Sequence, residues 1–259
     1  MTERSTPAGF GGRHVWSVSD DAVSLVRPVV PPCPYRVMAE PKPLVVDLAR
    51  SALVVIDMQN DFLHDEGWFA GKGVDPAPLR ATIGPINALA VHLRGLDVPI
   101  VWLNWGVRED RLNLPPGLAH SGKRWPEERG YGEDGPFDHG GALVRGSWGA
   151  KSYAELDVDD ADVRIDKSRF GGFTDSDFDG VLRNLGIHTL LFAGINIDRC
   201  VFATLTEASF RGYDVVLVTD AVATPSPQAC TEAVHFLVDK LYGFRVRTNA
   251  VLGGTSISK

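Results

Sequence analysis

Cysteine is scarce in this sequence. The 259 residues contain three, Cys33, Cys200 and Cys230. They are too far apart to form a Cys-x-x-Cys pair, which excludes a zinc ribbon, and three thiols cannot build a disulfide framework. A chain of this length buries enough apolar surface to fold without such cross-links. We therefore expect reduced thiols and a cytoplasmic protein.

The sequence also lacks long apolar runs and an excess of positive charge. No stretch approaches the ~20 apolar residues of a membrane-spanning helix, and we do not expect the polar start MTERSTPAGFGGRHVWSV, which has no apolar core, to act as a signal peptide. Lys and Arg number 26 against 33 Asp and Glu, which gives a formal net charge of −7. An acidic chain is a poor ligand for nucleic acid or for an anionic membrane, so we expect neither as the main partner. A local basic pocket for a small anion stays open, and the expected partner is a small-molecule substrate.

The first 50 residues differ in composition from the rest. The stretch VVPPCPYRVMAEPKPLVV contains five prolines and has no helical period. Proline disfavours both regular helices and central strands. We expect residues 1–50 to form an extended arm, which lies on the domain or reaches a neighbouring subunit. Residues 51–259 would then form a single domain.

From residue 51 onward, apolar runs alternate with helical patterns. The predicted strands are 52–57, 98–105, 162–166, 189–194, 214–221 and 244–252. The predicted helices lie at 79–93, with a kink at Pro85, and at 178–185, 200–212 and 226–241. This alternation predicts an α/β fold with a mostly parallel, Rossmann-like sheet covered on both faces. The segment 106–150 interrupts it, and a loop of that length is usually functional.

Three reactive side chains follow predicted strands. Asp57 ends the first strand, Lys167 follows the third, and Cys200 follows the fourth. Ligands bind beyond the carboxyl ends of the strands in open parallel sheets, so the three should converge at one edge. Taken alone, each has a plainer interpretation: an inert core thiol, a strand-end cap or metal ligand, and a solvated lysine. Only the combination indicates a site.

Together, the three suit nucleophilic catalysis. A free thiol has a pKa of ~8.5, and only the thiolate attacks. We expect the start of a helix and the Lys167 ammonium to lower the pKa of Cys200. Asp57 could accept the thiol proton and pass it to a leaving amine. Free N–H groups at the helix start could hold an oxyanion.

The segments ALVVIDMQNDF, IDKSRFGGF and GINIDRCVFATLTEASFRGYDVVLVTDA resemble the isochorismatase-like cysteine hydrolases over roughly residues 50–240. The resemblance implies a three-layer αβα fold and assigns catalysis to Asp57, Lys167 and Cys200, with a thioester-type intermediate. It also implies a cis peptide bond at Ile195–Asn196, and an oxyanion site made by the backbone N–H groups of Asn196 and Cys200. Homodimers or homotetramers are frequent in the family.

Two features depart from the commonest family pattern. Arg199 stands where many members have a small apolar residue; it could reach a substrate carboxylate or pair with a structural acid. The region after the second strand, WLNWGVREDRLNLPPGLAH, has one histidine, His120, which is too few for the metal site of nicotinamidases. We therefore expect neither a metal nor any other cofactor.

The substrate is expected to be a small linear amide. Residues 122–149 resemble the insert of biuret hydrolase, and RGSWG and KSRFGGF resemble ureidoacrylate amidohydrolase, which favours a ureide or carbamoyl compound. A pocket for such a carbonyl needs hydrogen-bonding groups and flat apolar walls. The candidates are Asn104, Asn196 and Arg169 for the first, and Phe62, Trp105, Trp148, Phe170 and Phe173 for the second. A larger amide or a lactam stays open, as does a catalytically silent binding protein.

Overall fold

A seven-stranded sheet forms the centre of the protein in the computed structural model, which describes residues 6–8, 15–135 and 137–257. The strands are β1 (Thr6–Ala8), β2 (Trp16–Val18), β3 (Val23–Ser24), β4 (Pro34–Val37), β5 (Ala39–Glu40), β6 (Leu44–Asp47), β7 (Ser51–Ile56), β8 (Ile100–Trp105), β9 (Val163–Lys167), β10 (Thr189–Ile195), β11 (Asp214–Ala223), β12 (Phe244–Val246) and β13 (Thr255–Ser256). The central sheet has the order β5-β12-β11-β10-β7-β8-β9. Adjacent strands in this sheet are parallel, except that β5 is antiparallel to β12.

Helices flank this sheet. They are α1 (Asn60–Leu63), α2 (Trp68–Gly71), α3 (Ala77–Arg80), α4 (Ile83–Arg94), α5 (Pro116–Gly122), α6 (Phe178–Asn184), α7 (Phe202–Phe210), α8 (Gln228–Leu237) and α9 (Thr248–Leu252). A 3-10 turn spans Leu48–Arg50, and π-helical turns span Ile197–Val201 and Val238–Tyr242. Every residue of β7 and β10 is buried, as expected for central strands covered on both faces. The three-layer α/β fold predicted from the sequence is confirmed.

Most predicted elements are present, and three differ in extent. The predicted helix 79–93 is divided into α3 and α4, and Pro85 lies in the first turn of α4, where a missing N–H is tolerated. The predicted helix 226–241 continues from α8 into the second π-helical turn. The predicted strand 244–252 ends at Val246, because Asp220 Oδ1 accepts hydrogen bonds from Thr248 N (2.8 Å) and Thr248 Oγ1 (3.0 Å) at the start of α9.

The expected arm is only partly separate from the domain. β1, β2 and β3 form a small antiparallel sheet of their own; the rest of the predicted arm before Val15 lies outside the described residues. β4 pairs with β6 and β13, and β5 extends the central sheet. Residues 34–47 therefore belong to the domain rather than to a free arm. Among the described residues, no helix combines the length and apolarity needed to cross a bilayer.

The segment 106–150 folds back over the carboxyl edge of the sheet. It contains α5, and two isolated β-bridges connect distant parts of the segment to each other. One bridge pairs Val107 with Val144, and the other pairs Asp134 with Gly141. The buried carboxylate of Asp61 fixes it to the domain, because Oδ2 accepts from Leu143 N at 2.6 Å. We refer to residues 106–150 as the insert.

Candidate active site

A buried ion pair lies at the carboxyl edge of the central sheet. Nζ of Lys167, the last residue of β9, is 3.0 Å from Oδ2 of Asp57, which follows β7, and both side chains are almost fully buried. Lys167 Nζ also donates to Arg169 O at 3.2 Å and lies 4.3 Å from the centroid of the Trp105 ring. Opposite charges attract more strongly away from water, so the pair holds both side chains in one geometry.

The chain turns sharply at the aspartate. Asp57 has a φ of 55°, a left-handed conformation that aspartate tolerates better than most residues. Its N–H donates to Leu103 O at 3.1 Å. Two residues later, the buried side chain of Gln59 accepts from Trp105 N (2.8 Å) and donates to Trp105 O (2.9 Å). These bonds fix the turn against the end of β8.

The thiol lies in the π-helical turn that joins β10 to α7. Asn196 O accepts from Arg199 N (3.0 Å) and Val201 N (3.2 Å), and Cys200 is 2% exposed. Trp105 Nε1 donates to Cys200 Sγ at 3.4 Å. π-Helical turns are frequent at functional sites, whereas the sequence predicts a plain helix start here. The Ile195–Asn196 peptide bond is cis, as the resemblance implied.

Burial affects the pKa of the Cys200 thiol more than Lys167 does. It raises the pKa of Cys200 to about 12; the Asp57 carboxylate adds to the rise, and the Lys167 cation opposes it. Burial also raises the pKa of Asp57, against the effect of Lys167 and of the nearby thiol. The expectation that the thiol pKa is lowered is therefore wrong. The resting thiol is neutral and lies beside a carboxylate with increased proton affinity.

A cavity of about 420 Å³ opens onto the thiol. Its lining residues are Phe62, Trp68, Phe69, Lys72, Val74, Trp105, Ser121, Arg124, Glu128, Tyr131, Phe170, Asn196, Arg199, Cys200 and Pro225. The Tyr131 ring stacks on Trp105 with centroids 5.0 Å apart, and Phe170 meets Trp105 edge-on at 5.9 Å. The Cys200 thiol therefore lies in a cavity with flat aromatic walls, next to the buried Asp57–Lys167 pair.

The family model described as "Isochorismatase domain" matches residues 51–249. This chain belongs to that family. The match includes all three residues of the buried cluster, Asp57, Lys167 and Cys200. It also places the chain among the isochorismatase-like hydrolases, in agreement with the resemblance of the three motifs.

Solved structures of isochorismatase-family proteins share the fold. A cysteine hydrolase from Pseudomonas syringae pv. phaseolicola 1448A superimposes with a TM-score of 0.66 at 22% identity, over 80% of this chain and 92% of that chain. An N-carbamoylsarcosine amidase from Thermoplasma acidophilum gives a TM-score of 0.60 at 24% identity, over 77% and 97%. A pyrazinamidase/nicotinamidase from Streptococcus mutans UA159 gives 0.60 at 22% identity, over 76% and 99%. At these identities, the likeness shows the fold alone.

Four of the predicted substrate-binding residues of this isochorismatase-family chain line the cavity: Phe62, Trp105, Phe170 and Asn196. Two others are held elsewhere. Asn104 Nδ2 donates to Ser152 Oγ at 3.3 Å, and Asn104 is outside the cavity lining. Trp148 is also outside the lining: its ring stacks on His139, with centroids 4.0 Å apart, and meets the His64 ring edge-on at 4.9 Å.

The last two predicted residues, Arg169 and Phe173, also lie outside the cavity lining. Arg169 Nη2 lies 2.7 Å from Asp175 Oδ2, and Arg169 Nη1 donates to Asn113 O at 2.6 Å. The guanidinium therefore connects the loop after β9 to the insert. Phe173 is buried against Phe178, with ring centroids 4.7 Å apart. Both positions follow Lys167 closely in sequence, but their side chains are held by contacts away from the cavity.

The lining residues that come from α2 and from the insert were not predicted from the sequence. Trp68, Phe69 and Lys72 line the cavity from α2 and its end, and Arg124 and Tyr131 line it from the insert. The two groups are in contact, since the ring centroids of Trp68 and Tyr131 lie 4.9 Å apart. Tyr131 is 7% exposed, and a Cβ on Gly122 would lie 2.4 Å from its ring, so Gly122 leaves space for that ring. The length of the insert was a signal of function, but nothing in its composition identified which side chains face the thiol.

Proposed function

We propose that this chain is a cysteine-dependent amidohydrolase, which cleaves a C–N bond of a small linear amide, preferably a ureide or another carbamoyl compound. The observation that supports this most directly is the buried Asp57–Lys167 ion pair beside the Cys200 thiol, which lines a cavity with aromatic walls. A binding protein has no need for a buried acid, base and nucleophile in contact, and burying them is costly.

The first half of the reaction forms an acyl-enzyme. Asp57 accepts the proton of the Cys200 thiol as the thiolate attacks the substrate carbonyl carbon, and the C=O electrons move to oxygen. The backbone N–H groups of Asn196 and Cys200 are the proposed donors to that oxyanion. The intermediate then collapses: Asp57 returns the proton to the leaving nitrogen, the C–N bond breaks, and a thioester on Cys200 remains.

The second half regenerates the thiol. Water takes the place of the leaving amine, and Asp57 accepts a proton from it as the oxygen attacks the thioester. Collapse breaks the C–S bond, and Asp57 returns the proton to sulfur. The products are ammonia or an amine and a carboxylate or carbamate. The Lys167 ammonium stabilises the carboxylate and the transient thiolate.

Two features of the cavity favour a ureide. Asn196 is 4% exposed, and its Oδ1 has no hydrogen-bond partner within the described part of the chain. A buried acceptor without a partner is costly, and an N–H of a carbamoyl group would satisfy it. The volume of about 420 Å³ lies near the lower end of the range for small-molecule sites, which favours a linear amide over a bulky one.

The test is ammonia release with mass detection of the products. The substrates are biuret, triuret, ureidoacrylate, N-carbamoyl amino acids, nicotinamide and a lactam. We expect turnover of at least one ureide, and a transient carbamoyl or acyl adduct on Cys200 in quenched samples. Cys200→Ala should show neither, whereas Cys230→Ala, which removes a thiol outside the cavity, should match the wild type. Turnover by Cys200→Ala would contradict the proposal.

Asp57→Asn tests the proton transfers separately. The amide keeps the shape of the side chain but cannot accept the thiol proton, so kcat should fall by about 10²–10⁴-fold. Near-normal kcat in this variant would exclude Asp57 as the proton acceptor.

A further inference from the structure

The charges that line the cavity are mostly positive. Lys72, Arg124 and Arg199 contribute three cations, and Glu128 is the one anion among the described residues of the lining. Lys72 Nζ lies 2.9 Å from Glu128 Oε2, so these two charges neutralise each other. Arg124 and Arg199 remain as two further cations in the lining, in a protein whose formal net charge is −7. A positive cavity in an acidic protein needs an explanation in terms of its ligand.

Within the described part of the chain, neither arginine has a close carboxylate partner. No carboxylate oxygen of residues 6–8, 15–135 and 137–257 lies within 4.0 Å of the Arg124 guanidinium. Arg199 has only a long contact, 3.9 Å to Asp198 Oδ2, while the other oxygen of Asp198 accepts from Thr224 Oγ1 at 2.5 Å. The closest hydrogen-bond partner of Arg199 is a neutral one, Ser226 Oγ at 3.1 Å. The structural-acid interpretation of Arg199 is thus the weaker one.

The charge of Arg199 acts on Tyr131, another residue of the cavity lining. Burial raises the pKa of Tyr131, and the Arg199 cation is among the groups that oppose this rise. Arg199 also directly precedes Cys200 in sequence, whereas Arg124 reaches the same cavity from the insert. An anion between them would join the turn that carries Cys200 to the insert that covers it.

We propose that the substrate carries a carboxylate, which Arg199 and Arg124 bind while its carbamoyl group lies at Cys200. The substrate class would then be a ureido acid, which is an amino acid carbamoylated on nitrogen. This inference rests on the proposed amidohydrolase function. A guanidinium presents paired N–H donors that match the two oxygens of a carboxylate, and such charge-assisted bonds are stronger than neutral ones.

The test compares matched substrates that differ in charge. Ureidoacetate, 3-ureidopropionate and 4-ureidobutyrate span the possible distances between the carbamoyl group and the carboxylate. Each is paired with the alkylurea in which an isopropyl group replaces the carboxylate. We expect kcat/KM to be about 10–100-fold higher for at least one acid than for its neutral partner. The preference should shrink with added salt, since ions screen the attraction.

Arg199→Gln and Arg124→Gln should each reduce this preference by about tenfold or more. Both side chains are exposed enough that the fold should survive, which thermal unfolding checks. Arg36→Gln is the matched control: it removes the same charge from an exposed position on β4, outside the cavity lining, and should leave the ratio unchanged. An unchanged preference in both cavity variants would overturn the proposal.

Binding provides a second readout that does not depend on turnover. Calorimetry with the Cys200→Ala protein should show tighter binding of the ureido acid than of its neutral partner. If neutral ureides are hydrolysed and the carboxylate gives no advantage in rate or binding, the carboxylate inference is wrong and the amidohydrolase proposal stands. If no ureide is hydrolysed and neither form binds, both fall. Tight binding of the ureido acid without turnover would support a carboxylate site formed by the two arginines, and it would contradict the proposal that a ureide is the substrate.

Discussion

Lys167 illustrates how a single residue type can mislead when it is considered alone. A lysine is usually solvated, yet this one has no exposed side-chain area and lies against Asp57 and the Trp105 ring. Breaking a buried pair by removing one partner leaves an uncompensated charge. The pair is therefore better explained by chemistry than by stability, because a hydrophobic replacement of both residues would be less costly to bury.

Because the pKa of the Cys200 thiol is raised, we expect the protein to lose stability at alkaline pH. Its pKa is raised from 9.0 to about 12 in the folded protein. A raised pKa means that the stabilisation is complete below the unfolded pKa and is lost as the pH rises from about 9 towards 12. The free energy of unfolding should fall by about 1.4 kcal/mol per pH unit in that window, relative to Cys200→Ser, which has no thiol to ionise.

Urea unfolding between about pH 8 and about pH 10.5 measures this difference. Cys33→Ser, which removes an exposed thiol, should run parallel to the wild type across the same range. If the wild type and Cys200→Ser also run parallel, the buried thiol is not held neutral, and the electrostatic description of the site is wrong.

At the scale of elements, the seam between β7 and β10 positions the aspartate and the cysteine. Gly194 lies opposite Ile56 with a φ of 103°, and the register of β10 against β11 shifts next to it. A Cβ at Gly194 would lie 2.2 Å from Ile56 O. Only glycine lets the two strands approach this closely just before Asp57 and the turn that carries Cys200.

Gly194→Ala should therefore destabilise the protein by about 3–5 kcal/mol, because an unfavourable φ is added to an overlap with backbone that cannot move. Gly212→Ala is the matched control. Gly212 has a φ of 87°, but no described atom outside its own immediate neighbours lies within 4 Å of the position that a Cβ would take there. About 1–2 kcal/mol of conformational cost should remain in that variant. Equal losses in urea unfolding would show that the seam can relax.

The elements differ in how far the sequence could predict them. β7 and β10 were predictable because a buried parallel strand is a continuous apolar run. Asp57, Lys167 and Cys200 were predictable because each follows such a run or ends one. The cavity walls were not predictable: Tyr131 joins the lining through the path of the insert, which depends on long-range contacts such as that of Asp61 with Leu143. Trp68 of α2 packs against Tyr131, with ring centroids 4.9 Å apart. The thiol pKa was mispredicted because burial is a tertiary property.

At the scale of the whole molecule, the first 47 residues contain two structurally different parts. Hydrogen bonds in the described portion of residues 1–27 connect β1, β2, β3 and their turns. Residues 34–40 instead pack on the domain: Tyr35 is buried, its hydroxyl donates to Val251 O at 2.9 Å, and β5 covers the edge of β12. An uncovered strand edge favours aggregation.

Two truncations separate these roles. Deletion of residues 1–27 should change the free energy of unfolding by less than about 1 kcal/mol, since the removed segment carries mainly exposed side chains where it is described. Deletion of residues 1–43 removes β4 and β5 as well. It should cost about 3–6 kcal/mol from the burial of Tyr35 and Val37 alone, and it should expose β12.

Urea midpoints and light scattering measure both effects. Equal behaviour of the two truncated proteins would mean that residues 1–43 act as one unit, whereas aggregation confined to the longer deletion would place the domain boundary between residues 27 and 34.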